Sequence, residues 1–216
     1  MNEEMGSGPP ENERKTKRCF VAAPASPEIC DRATEIQGVL RQSPRRQGLR
    51  WLKTGAFHIT LKFLGDVPVE DISYIAQQLG IVALGCWPTG LRLERLGVFP
   101  NPKRPRVLWW GSDGEKVPAE LRALHFHVEE ALHLLGFEKE DRPFRPHITI
   151  GRMKENVDPI ALAEAMEQAR PLIEAEFPIH GIELMENRLD PQGAIYESLA
   201  AISLEENDEE RPAQEE

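Results

Sequence analysis

The sequence has 216 residues, of which 40% are hydrophobic and 29% are charged, as is usual for a globular protein. No apolar run approaches the roughly 20 residues that cross a bilayer, and the first residues lack the apolar core of a secretory signal. The formal net charge is −10, but residues 1–13 carry −4 and residues 205–216 carry −6. Residues 14–204 are therefore neutral, so the acidic total does not exclude a nucleic-acid partner that binds local basic patches.

Both ends are polar and poor in apolar residues, which predicts disordered tails over residues 1–16 and 205–216. Between them we expect one folded domain, residues 17–204. The three cysteines show no CxxC spacing, which predicts reduced thiols and argues against a disulfide framework or a zinc motif. These features favour a cytoplasmic monomer without a membrane partner.

In the first half of this domain, apolar spacing and turn residues predict alternating strands and helices. The second helix begins with an acidic turn, which suits the helix dipole, and the last two strands flank a basic, proline-rich turn. In chain order we expect a strand at 18–25, a helix at 27–41, a strand at 57–64, a helix at 69–84, and strands at 91–100 and 106–111.

The second half repeats this order. We expect a helix at 117–137, a strand from residue 147, a helix at 158–170, and strands at 177–187 and 195–204 joined by a turn at 190–193. The match between the halves indicates a weak internal duplication. Helices that alternate with antiparallel strand pairs favour the α+β class.

A four-residue motif recurs at equivalent places in the two halves. His58-Ile59-Thr60-Leu61 and His147-Ile148-Thr149-Ile150 differ only in the last aliphatic residue. Because side chains alternate along a strand, the His and Thr of each motif point to the same side. One such strand could simply expose polar residues to water. Two equivalent copies predict a shared site.

The residues of this site point to phosphoryl chemistry. No carboxylate or cysteine recurs beside either motif, so a metal site with mixed ligands is poorly supported, and no Ser or Cys lies in a nucleophile context. Two imidazoles can serve as a base and an acid at once, and threonine hydroxyls can donate hydrogen bonds to phosphate oxygens. In-line attack of water on a phosphodiester requires such groups on opposite sides of the phosphorus.

The segments FHITLKFLGDV and RPFRPHITIGR resemble the paired HxTx motifs of the two-histidine phosphoesterase superfamily. The chain is most similar to its RNA 2′,3′-cyclic phosphodiesterase family, also called the 2′-5′ RNA ligase family. The likeness covers nearly the whole domain and includes RCFVAAP, LGVFPNPKRPRVLWWG and GAIYESLAAISL. Asn187 stands where a serine is commoner in the family.

The resemblance implies a bilobal α+β fold in which a pseudo-two-fold axis relates antiparallel sheets with outer helices, and the motif strands face each other across a central cleft. It also implies opening of a terminal RNA 2′,3′-cyclic phosphate to a 2′-phosphomonoester without metal or other cofactor. In that family the first histidine is the proton donor and the second the acceptor, which assigns these roles to His58 and His147. Thr60 and Thr149 would hold the phosphate.

Basic and aromatic residues around the motifs are candidates for RNA contacts, because arginine suits phosphate and aromatic rings stack on bases. By strict alternation, Arg152 should share the core-facing side of Ile148 and Ile150. The candidates are Arg104, Arg106, Arg142, Arg145, Arg152, Phe63 and Tyr196.

Four other functions remain open at this stage, and one of them, a scaffold that works through its acidic tails, would leave the paired motifs unexplained. The same groups could seal RNA ends as a 2′-5′ RNA ligase or cleave 2′-5′ oligonucleotides. The chain could also be a nucleotide-binding module without catalysis, although a pure binder would not need two proton-transfer groups.

Overall fold

The computed structural model describes residues 15–42, 48–112, 114–153, 157–190 and 193–204. The expected disordered tails lie almost entirely outside these residues. The strands are β1 Thr16–Pro24, β2 Leu49–Trp51, β3 His58–Pro68, β4 Thr89–Leu93, β5 Arg95–Phe99, β6 Val107–Gly111, β7 His147–Met153, β8 Ala175–Ile179, β9 Gly181–Asp190 and β10 Gly193–Ser203. The α-helices are α1 Pro27–Gln42, α2 Ile72–Ala83, α3 Ala119–Leu134 and α4 Pro159–Gln168.

The main sheet has the strand order β10-β9-β1-β3-β7-β6-β5, and β2 pairs with β7 beside this path. All of its pairings are antiparallel, and β4 and β8 form a separate two-stranded sheet. The α+β class is therefore confirmed. The motif strands β3 and β7 are neighbours that share a single paired position, Ile59 opposite Ile148.

The two halves of the chain share most of their element order, which agrees with the expected duplication. Each half has a helix, a motif strand, a helix and three further strands in this order, and the first half has two more strands, β1 before α1 and β2 between α1 and β3. The first of these three strands, β4 or β8, pairs with its counterpart from the other half. The hairpin β5–β6 joins the motif strand of the second half, whereas β9–β10 joins that of the first half through β1. The halves are thus interlocked around the β3–β7 seam.

Two segments that we expected to be single strands each contain two. Residues 91–100 divide at Glu94 between β4 and β5, and residues 177–187 divide at His180 between β8 and β9. In both cases the first part belongs to the small sheet and the second to the main sheet. Local alternation does not reveal this division, because it reports burial and not the sheet in which a residue pairs. The expected helix at 69–84 begins with a 3₁₀ turn at Val69–Asp71.

The side chains of β1 alternate between two apolar clusters on opposite faces of the main sheet. Cys19, Val21 and Ala23 belong to the large core that also takes in the buried stripes of the helices. Phe20 and Ala22 belong to a smaller cluster with Met185 and Tyr196. The helices therefore stabilise one face of the sheet and leave its other face available for a cleft. Among the described residues, no helix is long and apolar enough to span a membrane.

Candidate active site

The four motif side chains meet at the seam of the main sheet. Ile59 and Ile148 are opposite each other and fully buried, whereas the flanking His and Thr residues are half-buried. In an antiparallel pair this register sets His58 against Thr149 and Thr60 against His147. The structure thus brings together the His and Thr residues that the sequence singled out. Adjacent antiparallel strands place them side by side, in a two-fold arrangement.

A backbone carbonyl two residues earlier lies beside each histidine. Nδ1 of His147 is 2.7 Å from the carbonyl oxygen of Arg145. The Ala56 carbonyl is the equivalent group beside His58, where it partly offsets the lowering of the pKa by burial. Nδ1 of His58 makes no hydrogen bond of normal geometry to the described residues. Donation from Nδ1 leaves Nε2 of a neutral imidazole as the proton-accepting atom.

Aromatic rings surround each imidazole, and they come from different strands on the two sides. The ring of His58 lies 4.9 Å from that of Phe20 and 5.0 Å from that of Tyr196. The ring of His147 lies 5.0 Å from that of Phe99 and 6.0 Å from that of Trp109. The rings fix the imidazoles sterically and exclude water from their faces, so each histidine is desolvated.

A glycine opposite Trp109 lets that ring reach His147. Gly97 pairs with Trp109 in the β5–β6 ladder, and a Cβ atom at Gly97 would lie 2.1 Å from Cζ2 of the indole. Any other residue would therefore push the indole aside. Gly111, opposite His147 in the β6–β7 ladder, similarly leaves room for the chain that enters the second motif, because a Cβ there would be 2.7 Å from the Pro146 carbonyl oxygen.

Burial keeps both imidazoles neutral. The pKa of His58 is lowered to about 4, mainly by burial; the Ala56 carbonyl opposes this effect, and the nearby His147 and Arg152 add smaller contributions to the lowering. Burial also lowers the pKa of His147, with a smaller contribution from Arg152. The charge of Arg152 therefore acts on both histidines. A bound anion would have the opposite effect and stabilise an imidazolium.

Both motif strands contain a β-bulge at the fourth residue of the motif. In β3, Val21 pairs with Lys62 and Ala22 pairs with Thr60, so Leu61 is the extra residue. In β7, Leu108 pairs with Gly151 and Trp109 pairs with Thr149, so Ile150 is the extra residue. A bulge places two consecutive side chains on the same face and then restores the alternation in the opposite phase.

The bulges turn Phe63 and Arg152 toward the cleft. Leu61 and Lys62 are both buried, as are Ile150 and Gly151, and the next residue of each strand is exposed. The expectation that Arg152 points to the core was therefore wrong. It rested on strict alternation, which an inserted residue reverses.

A buried glutamine on α1 holds the second bulge. The side-chain amide of Gln37, which is only 3% exposed, donates from Nε2 to the carbonyl of Ile150 at 2.9 Å and to that of Leu52 at 3.0 Å. The backbone N–H of Leu52 also donates to the Ile150 carbonyl. Gln37 thus gives the carbonyl of the extra residue a second donor and links it to the segment that follows β2.

A buried ion pair anchors the segment between α3 and β7. Nζ of Lys62 donates to Oε2 of Glu129 at 2.8 Å and to the carbonyl of Glu138 at 2.6 Å. The same carboxylate accepts the backbone N–H of Glu140 at 3.3 Å. This segment continues to Arg145, whose carbonyl orients His147. Local sequence did not indicate this role, because a lysine in an alternating strand is ordinarily exposed.

Two cavities lie beside the motif residues. One, of about 520 Å³, contains four cationic side chains and is here called the basic pocket; the four are Arg18, Arg50, Lys53 and Arg152. The other, of about 680 Å³, is walled by Phe99 and Phe144 and is here called the aromatic pocket. Thr60 and His147 line the aromatic pocket, and Phe63 lines both.

Six of the seven predicted RNA contacts line at least one of the two cavities, and Arg104 does not. Arg106, Arg142 and Arg145 line the aromatic pocket, and Tyr196 and Arg152 line the basic pocket. Arg104 lines neither; it lies exposed in the turn after β5, where its N–H bonds to Asn101. Its basic neighbours in the sequence predicted an RNA contact, which stays a prediction.

Several residues that line the cavities belong to no motif, and the sequence analysis did not predict them. They include Arg18, Arg50, Lys53, Trp51 and Phe144. His125 stacks on Phe144 at 4.0 Å, and Asn187, opposite Tyr196 in the β9–β10 ladder, lines the basic pocket. Only the basic character of the RWLK segment at 50–53 could have indicated part of this set. In the described parts of the chain, no three His, Cys, Asp or Glu side chains are grouped as metal ligands.

Comparisons with known proteins place this geometry in a family. The model of the family described as LigT like Phosphoesterase matches residues 23–109 and 114–196. An RNA 2′,3′-cyclic phosphodiesterase of Archaeoglobus fulgidus is 31% identical over 182 residues, which are 84% of this chain and 97% of that protein.

Solved structures share the fold. The crystal structure of TT0787 of Thermus thermophilus matches with a TM-score of 0.70 and 28% identity, covering 87% of this chain and 97% of that one. E. coli LigT complexed with 3′-AMP matches with a TM-score of 0.68 and 20% identity, covering 88% and 99%.

The matched ranges contain both motifs and most of both hairpins that enclose the histidines. The resemblance inferred from the motifs is therefore confirmed. The chain belongs to the LigT-like phosphoesterase family.

Proposed function

We propose that the protein hydrolyses the 2′,3′-cyclic phosphate at an RNA end to a 2′-phosphomonoester, without metal, in the cytoplasm. The observation that carries the proposal is the single Ile59–Ile148 pair, which sets two histidines and two threonines around one point with two-fold symmetry. The name of the A. fulgidus relative, RNA 2′,3′-cyclic phosphodiesterase, supports the same substrate class.

The reaction requires one proton to be removed and one to be delivered. Nε2 of His147 accepts a proton from water as the water oxygen attacks phosphorus, and the bond from phosphorus to the 3′ oxygen breaks. His58 donates its proton to that leaving oxygen. The products are a 2′-phosphate and a free 3′-hydroxyl. The hydrogen bond of Nδ1 to the Arg145 carbonyl leaves Nε2 of His147 free to accept.

The threonines and Arg152 stabilise the negative charge that develops on the phosphoryl oxygens. Thr60 and Thr149 lie opposite the two histidines and donate hydrogen bonds to the non-bridging oxygens. Arg152 projects to the same side, and its charge already acts on both imidazoles. Preorganised donors of this kind supply a large part of the rate enhancement in many enzymes.

The donor becomes protonated as the substrate binds. His58 has a pKa of about 4, so at neutral pH it enters the reaction as a neutral ring. The anionic cyclic phosphate raises this pKa and draws a proton to the donor. The charge of the substrate thus helps to create the acid that the reaction consumes.

The rest of the RNA contacts residues of the two pockets. Phe63 is 63% exposed and lies on the rim that the pockets share, where it can stack on a base. Arg106, Arg142 and Arg145 in the aromatic pocket offer hydrogen-bond donors to backbone phosphate and to base edges. Tyr196 packs against His58 and closes the other side.

The test is to identify the product formed from an oligoribonucleotide with a 2′,3′-cyclic phosphate end. The protein is incubated with this substrate in excess EDTA, and the product is compared chromatographically with 2′-phosphate and 3′-phosphate standards. We expect the 2′-phosphate. A 3′-phosphate would reverse the assignment of the broken bond, and a ligated strand would favour the 2′-5′ RNA ligase activity. Loss of all activity on chelation would contradict the metal-free mechanism.

A second substrate separates the remaining alternatives. Cleavage of a 2′-5′-linked oligonucleotide in preference to the cyclic end would favour the 2′-5′ oligonucleotide phosphodiesterase activity. Binding of the cyclic-phosphate RNA with no change in its end would indicate a binding module without catalysis.

A further inference from the structure

The basic pocket carries four positive charges that nothing in the described structure neutralises. No Asp or Glu is among its lining residues, and none of the four cations forms an ion pair within 4.0 Å with the described residues. Asp66 is opposite Arg18 in the β1–β3 ladder but does not pair with it at that distance. Surface cations elsewhere in the chain, such as Lys116 and Arg170, do have carboxylate partners.

Two of these cations are directly opposite each other. Arg50 pairs with Arg152 in the β2–β7 ladder, so their side chains project from the same face of the sheet. Like charges at such positions destabilise a strand pair. The second bulge, held by Gln37, is what turns Arg152 to this face. An anion between the two guanidinium groups would offset the repulsion.

The pocket begins where the histidine site ends. Phe20 and Tyr196, whose rings contact His58, also line the pocket. Arg152 lies close enough to influence the pKa of both imidazoles. An anion in this pocket is therefore a near neighbour of the phosphate that reacts, and it must belong to the same ligand or to one bound beside it.

We propose that the basic pocket binds the backbone phosphate on the 5′ oxygen of the terminal nucleotide. The inference rests on the proposed function and specifies its substrate class. A cyclic mononucleotide has one phosphate, and this phosphate is bound by the histidines and threonines. A polynucleotide with the same end has a second phosphate on the same ribose. Arg50, Lys53 and Arg18 bind this second group, so the enzyme prefers RNA ends to free cyclic nucleotides.

The test compares three substrates that differ only on the 5′ side. They are adenosine 2′,3′-cyclic phosphate, the same nucleotide with a 5′-phosphate, and the dinucleotide ApA with a 2′,3′-cyclic phosphate end. For the wild-type protein we expect kcat/KM for the second and third substrates to exceed that for the first by about tenfold or more. The reason is that charge-assisted hydrogen bonds to the added phosphate contribute about this much. The preference should weaken as salt is added.

Paired substitutions assign the preference to the pocket. The double variant Arg50→Gln, Lys53→Gln should reduce the ratio of dinucleotide to mononucleotide kcat/KM to about one-tenth of the wild-type value. Arg170→Gln, which removes an exposed cation paired with Glu167 outside the pocket, should leave the ratio unchanged. The inference would be overturned if the wild-type protein had equal kcat/KM for the three substrates. It would also be overturned if the double variant had the same ratio of dinucleotide to mononucleotide kcat/KM as the wild type.

A binding measurement separates this inference from the proposed function. Fluorescence anisotropy of labelled ApA with a terminal 2′-phosphate gives the affinity for the dinucleotide. Displacement of this probe by adenosine 2′-phosphate gives the affinity for the mononucleotide. Neither measurement requires turnover. If the wild-type protein hydrolyses none of the substrates, the proposed function fails. The pocket is still supported if the double variant binds the dinucleotide about tenfold more weakly, and refuted if it binds with wild-type affinity.

Discussion

Phe63 and Arg152 are equivalent residues of the two motif strands, and a β-bulge directs each of them to the cleft. Each comes five residues after the motif histidine and two residues after the extra residue of the bulge, Leu61 or Ile150. The repeated backbone device thus carries different chemistry on its two sides. It presents an aromatic ring on the strand of His58 and a guanidinium on the strand of His147.

The two histidines should be separately essential to turnover. We expect His58→Ala and His147→Ala each to lower kcat on a cyclic-phosphate oligonucleotide by roughly 10²–10⁴, because each removes one of two proton transfers. The double variant should be little worse than either single one, since the two groups act as a unit. Thermal unfolding followed by circular dichroism checks that the fold is kept.

The exposed His180 provides the matched control, and His180→Ala should retain wild-type turnover. If either motif variant hydrolysed the substrate at the wild-type rate, the two-histidine mechanism would be wrong.

The pH dependence of kcat/KM should reflect the lowered pKa values of the two buried imidazoles and the effect of the Arg152 charge on them. Because burial lowers the pKa of both histidines, the bell-shaped profile of kcat/KM should have its maximum below about pH 6.5, the ordinary imidazole value. Arg152→Gln removes a positive charge that disfavours the imidazolium, so both limbs should move to higher pH while the rate falls.

The measurement is kcat/KM at constant ionic strength from about pH 4 to about pH 9, a range that brackets the ordinary imidazole value. The exposed cation Arg170 serves as control, and Arg170→Gln should leave the profile in place. An unchanged maximum in Arg152→Gln would show that its charge does not act on the pair.

Gln37 should affect both stability and activity although it does not line either pocket. Gln37→Leu keeps the buried volume but removes the two hydrogen bonds to the Ile150 and Leu52 carbonyls. We expect a loss of about 1–3 kcal/mol in the free energy of unfolding, because two buried hydrogen bonds are lost and the Ile150 carbonyl keeps only the N–H of Leu52. Urea denaturation gives this value.

If the bulge loosens as well, Arg152 is no longer fixed toward the cleft. The maximum of the pH profile in Gln37→Leu should then move in the same direction as in Arg152→Gln. A purely structural role for Gln37 would lower stability and leave the profile where it was.

The buried Lys62–Glu129 pair should stabilise the fold only when both partners are present. Lys62 is 1% exposed, so Lys62→Met leaves a carboxylate without its cation and should cost about 3–5 kcal/mol of unfolding free energy. The double variant Lys62→Met, Glu129→Leu should recover much of this loss, because no buried charge remains. Urea denaturation of the wild type, the single variant and the double variant measures the difference; equal stability of the two variants would contradict it.

Most of the α+β element order, the internal duplication and the four motif residues could be predicted from the sequence. These predictions succeed because they depend on local periodicity and on a repeated motif, and both can be read from residues that are neighbours in the sequence. The side of the sheet that His58 and Thr60 share follows from the same period of two.

The tertiary structure alone decided which other residues join the site. Arg50 reaches it because β2 pairs with β7, and Tyr196 because the β9–β10 hairpin joins β1. Such pairings link residues that are far apart in sequence and leave no local signal. The bulge at Ile150 overruled the alternation that we applied to Arg152, since one inserted residue reverses every side chain after it. The chain thus encodes its reactive groups locally, and the ladder registers decide what surrounds them.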